Sequence, residues 1–75
     1  MERFTRTGAP SDRGVNVTTL VTPSERYVFL FTDKYLPDAI KKVGEFASRE
    51  DLAFSWHDAA RVSLTMRKQV RRANE

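Results

Sequence analysis

No cysteine occurs in the 75 residues, and histidine and tryptophan occur once each. The missing thiols exclude a disulfide staple and a cysteine-based zinc site. Glycine is scarce, and Gly8, Gly14 and Gly44 stand too far apart to build a phosphate-cradling loop. Long hydrophobic runs are missing as well. The longest, Tyr27 to Phe31, has five residues, against the roughly 20 that a membrane-spanning helix needs. No apolar stretch follows the first six residues, so no signal peptide is read there. The expectation is a soluble, cytoplasmic protein with one small domain and modest stability.

Charge is present in both signs but unevenly placed. Lysine plus arginine number 13 and aspartate plus glutamate 10, a net charge of +3. Residues 1–35 carry +1, residues 36–56 carry −1 and residues 57–75 carry +3. The excess therefore sits in the last quarter, at Arg61, Arg67, Lys68, Arg71 and Arg72.

Residues 1–13 contain Gly8, Pro10 and Ser11 and show no apolar period, which predicts a flexible N-terminal arm. Residues 14–75 are then the single domain. Its first segment, Gly14–Thr22, is β-branched and alternating. Val15, Val17, Thr19 and Val21 share one face; Asn16, Thr18 and Leu20 share the other. Pro23-Ser24-Glu25 supplies turn chemistry. Arg26–Thr32 predicts the strongest strand, with Tyr27, Phe29 and Phe31 on one face and Val28 and Leu30 on the other. A strand apolar on both faces suits the centre of a covered sheet.

Asp33 is placed to cap a helix, with Pro37 tolerable in its first turn. Leu36, Ala39, Ile40, Val43, Phe46 and Ala47 recur at helical spacing. Gly44 inside that helix suggests a close approach to the sheet. Leu52–Trp56 alternates, with Leu52, Phe54 and Trp56 on one face, and predicts a short third strand. Ser55 and Asp58 have capping-box spacing ahead of a last helix whose stripe is Ala59, Val62, Met66 and Val70.

The assembled expectation is a small α/β domain in the order β-β-α-β-α. The first two strands form an antiparallel hairpin, and a helical crossover brings the third strand parallel to the second. Both helices pack on one face of this three-stranded mixed sheet. The opposite face stays open, and large apolar side chains reach it whichever way the second strand turns.

Chemistry is thinly represented. Ser55, His57 and Asp58 are the residue types of a nucleophilic triad, but a triad converges from separate elements. Glu45, Glu50 and Asp51 lack the alternating oxygen ligands of a cation loop. The expectation is a non-enzymatic protein with no cofactor, no metal and no small-molecule substrate. The leading role is self-association, as a homodimer, or binding of a protein partner. Tyr27, Phe29, Phe31, Phe54 and Trp56 are the candidate contact residues. The alternative is nucleic-acid binding through Arg61, Arg67, Lys68, Arg71 and Arg72 as phosphate contacts. If Leu52–Trp56 were a loop, the order strand, helix, helix resembles the ribbon-helix-helix DNA-binding arrangement. That arrangement needs Arg26–Thr32 to pair with a symmetry mate and to present polar side chains. Here the ribbon is apolar between its ends, and Val15–Val21 has no place in it.

Overall fold

Thr22 closes the hairpin. Its backbone N–H donates to the Glu25 carbonyl at 2.8 Å, and its hydroxyl donates to the same oxygen and accepts from the Glu25 N–H, each at 3.1 Å. Around that turn, Asn16–Val21 and Arg26–Phe31 pair antiparallel, with Asn16 opposite Phe31 and Val21 opposite Arg26. The expected hairpin is therefore present. The computed structural model describes residues 2–8 and 14–73, the side chains of Arg72 and Ala73 excepted.

The other edge of the Arg26–Phe31 strand is taken by Glu2–Thr7, in parallel, from Glu2 opposite Arg26 to Thr7 opposite Phe31. In chain order the strands are β1 (Glu2–Thr7), β2 (Asn16–Val21) and β3 (Arg26–Phe31), and their spatial order is β1-β3-β2. A three-stranded mixed sheet with two helices is what the residue patterns predict, but the element order differs. The parallel strand comes from the segment expected to be a flexible arm. The rest of that expected arm, residues 9–13, lies outside the described residues. Leu52–Trp56 is not a strand: residues 48–55 form a loop, and Trp56 begins the second helix.

The physical reason is edge occupancy. A strand offers two hydrogen-bonding edges. β2 takes one through a short local turn, and β1 takes the other. Leu52 and Phe54 retain their apolar character by inserting into the core from the loop, where both are buried.

A single turn of 3₁₀ helix, Asp33–Tyr35, leads into α1 (Leu36–Ala47). Asp33 does not cap α1. Tyr35 holds the cap position without a side-chain bond, and the Asp33 carboxylate instead accepts from Asn16 Nδ2 at 2.7 Å. Pro37 sits in the first turn, as expected. α2 (Trp56–Ala73) starts on the expected capping box. The Ser55 hydroxyl accepts from the Asp58 N–H and the Asp58 carboxylate accepts from the Ser55 N–H, both at 3.1 Å. Ala39 and Val43 of α1, with Ala59, Val62 and Met66 of α2, are buried against the sheet. Gly44 has a different setting from the one expected. A Cβ built there meets nothing within 4 Å, so no close approach requires the glycine.

Candidate interaction surface

Alternation along each strand assigns the two faces. Beneath the helices lie Arg3, Thr5 and Thr7 of β1, Tyr27, Phe29 and Phe31 of β3, and Asn16, Thr18 and Leu20 of β2. Four of the five residues expected to meet a partner are thereby corrected. Tyr27, Phe29, Phe31 and Phe54 form the core, each at most 4% exposed. The rings of Tyr27, Phe29 and Phe54 pack with Phe46: Phe54 meets Tyr27 edge-on at 4.9 Å, and Phe46 stands 5.6 Å from Phe29. The helices selected this face because it holds the larger side chains, whose burial contributes most. Trp56 alone remains exposed, on the first turn of α2 rather than on the sheet.

The face turned away from the helices carries Phe4, Arg6, Val15, Val17, Thr19, Val21, Val28 and Leu30. Val28 is nearly buried because the register sets it between Phe4 and Thr19. Phe4, Val17 and Val21 are more than half exposed, at 61%, 51% and 71%, and Val15 is exposed as well. Charged groups stand at both ends: Arg26 and Glu2 pair loosely at 3.8 Å at one, and exposed Arg6 lies opposite Leu30 at the other. The valines were legible as a set from their alternation. Phe4 was missed because a strand with no local partner and no apolar period carries no signal of its own.

One polar cluster ties β1 to the rest. Glu25 accepts from the Tyr27 hydroxyl at 2.7 Å, from the Ala53 N–H at 3.2 Å and from the Arg3 guanidinium. The Tyr27 bond, then the Arg3 bond, hold the Glu25 carboxyl below its ordinary value. Burial, then the same carboxylate, push the Tyr27 phenol up to about 12. Every group in the cluster is satisfied within the fold, which makes it an anchor for β1 and the 48–55 loop.

The triad types sit together at the start of α2 and do not converge from separate elements. Ser55 and Asp58 are engaged in the helix cap, and His57 is exposed. Of the acidic cluster, Asp51 is held by Arg49 at 2.7 Å and Glu45 by Lys42 at 3.4 Å. No group of three potential metal-ligating side chains occurs among the described residues. Among those residues, no helix is long and apolar enough to cross a membrane.

Arg61, Arg67, Lys68 and Arg71 are exposed along α2, and none makes an ion pair among the described residues. The Arg72 side chain lies outside the described residues. The ribbon-helix-helix arrangement meets one of its two conditions, since residues 48–55 are a loop. It fails the other, because β3 has partners on both edges and none left for a symmetry mate. No family model, curated protein or solved structure matches the chain.

Proposed function

We propose that the protein is a non-enzymatic self-association module whose open sheet face packs against the same face of a second copy. The observation that supports this reading is the exposed apolar set Phe4, Val15, Val17 and Val21 around Val28 and Leu30. Both helices lie on the opposite side, so no element among the described residues covers it. Leaving such groups wet forgoes roughly 1.5–3 kcal/mol for each large side chain that a partner would bury fully. That is a sizeable fraction of the ~5–15 kcal/mol that holds an ordinary domain together.

A two-fold axis brings the patch onto itself, the commonest symmetry of soluble oligomers. Two such sheets stack face to face about 10 Å apart, leaving the helices outside. Three strands of six residues span about 14 by 20 Å, about 280 Å² in projection on each copy, below the roughly 800 Å² per partner of a standard interface and in keeping with a weak association. The expected affinity is therefore micromolar.

Sedimentation equilibrium over a range of concentrations tests this. The native protein should approach twice the monomer mass at tens of micromolar. Val17→Asp and Phe4→Asp, both at exposed positions, should give folded monomers with unchanged far-UV circular dichroism. A native chain that stays monomeric at every concentration overturns the reading.

A further inference from the structure

Arg61, Arg67, Lys68 and Arg71 of α2 make no ion pair among the described residues, whereas four cations elsewhere do. Arg3, Arg26, Lys42 and Arg49 each face a carboxylate. α2 holds Arg61, Arg67, Lys68, Arg71 and Arg72 against one acid, Asp58, and that acid is engaged in the helix cap. The helix therefore carries +4 of a net +3, and the remaining chain is −1. A field of one sign that the fold does not neutralise suits an anionic partner.

The cations also have an order. Arg61 and Lys68 are seven residues apart, almost in line on the helix and separated by about 10.5 Å along its axis. Arg67 and Arg71 form a second line, one turn apart. At the head of the first line, Arg61 and Thr65 line a crevice of about 70 Å³ between α2 and residues Thr18–Leu20 of β2.

The free edge of β2 forms its other wall. The Thr22 N–H pairs inward with Glu25, so by the antiparallel alternation Thr18 and Leu20 also pair inward. Val17 and Thr19 then point their backbone groups outward. The Val17 carbonyl takes the Gln69 side-chain amide at 2.9 Å, while the Thr19 N–H opens toward the crevice edge. A guanidinium beside a strand-edge N–H is a donor pair that suits a phosphate oxygen.

We propose that the outward face of α2 binds the phosphodiester backbone of nucleic acid, with Arg61 seating one phosphate at the α2–β2 crevice. The ordered lines of cations follow a chain of phosphates, whereas a lipid surface would meet the convex helix and leave the crevice unfilled. Binding is to the backbone, so it tolerates sequence. The site lies opposite the open sheet face and does not depend on self-association.

Fluorescein-labelled 20-mers, single-stranded and duplex, titrated by anisotropy against the whole protein provide the test. Four phosphate contacts predict a log–log salt slope of about −3.6 on duplex and about −2.8 on single strands. Affinity for duplex should then fall about 150-fold between 0.05 and 0.2 M salt. Arg61→Glu should weaken binding at least tenfold and lower the slope by about one. Lys41→Glu makes the same charge change on the exposed side of α1 and should have a much smaller effect. Circular dichroism and melting temperature establish that both variants fold. No binding at low salt, equal losses in Arg61→Glu and Lys41→Glu, or binding to phosphatidylserine vesicles without binding to either oligonucleotide would each overturn the proposal.

Discussion

Glu25 shows how much one side chain can organise in a chain this short. It sits at the end of the hairpin turn and joins Arg3 of β1, Tyr27 of β3 and the Ala53 N–H of the loop. Its carboxyl is held below 4.5, first by the Tyr27 hydroxyl. A group whose folded value is depressed stabilises the fold above its unfolded value, and that contribution fades as pH falls through the folded one. Acid unfolding should therefore set in below about pH 4.5. Tyr27→Phe removes the leading cause and should flatten that part of the stability profile, read as melting temperature against pH. At neutral pH it should lower the melting temperature by roughly 4–8 °C. Gly44 is the opposite case. It lies in α1 with open space where a Cβ would stand. Gly44→Ala should raise stability by about 0.5–1 kcal/mol in urea unfolding, because alanine has less backbone entropy to lose.

β1 is the element that local pattern could not reveal. Its residues read ERFTRT, with one large apolar side chain, and nothing in that run distinguishes a strand from an arm. It becomes a strand because β3 has a second edge to satisfy and because Arg3 reaches Glu25. Removing residues 1–7 strips that edge and takes the Arg3 partner from Glu25. The truncated protein should lose well over the ~0.5 kcal/mol typical of a neutral surface change, measured as a lower urea midpoint. An unchanged midpoint would mean that β1 adds nothing to the fold. The loop before α2 carries a similar lesson. Leu52 and Phe54 alternate as a strand does, yet both edges of β3 were already taken, and the pair fills the core instead. Phe54→Ala should cost about 3–5 kcal/mol, enough to leave a domain of this size largely unfolded at 37 °C.

At the scale of the whole molecule the two proposed surfaces lie on opposite sides, and their physics differs. The sheet face is apolar at its centre, with Arg26 and Glu2 at one end and Arg6 at the other. Its association should keep the same sedimentation midpoint between about 0.05 and 0.5 M salt, where exposed charges become screened. The α2 face is cationic and should lose its ligand over the same range. A dimer that dissociates as salt rises would mean that charge, not apolar area, joins the copies.

The residue patterns by themselves determined the β2–β3 hairpin, both helices, the capping box at Ser55 and the stripes facing the core. Each depends on contacts within one turn or one helical repeat, and such contacts are written into local spacing. Tertiary structure alone decided three other matters: which segment takes the second edge of β3, which face of that strand the helices cover, and which apolar set is left outside. Edge pairing depends on backbone groups that every residue carries, so the mostly polar β1 can win over the alternating Leu52–Trp56. The covered face is a competition between two apolar sets. Tyr27, Phe29 and Phe31 prevail because they bring more surface out of water than Val28 and Leu30.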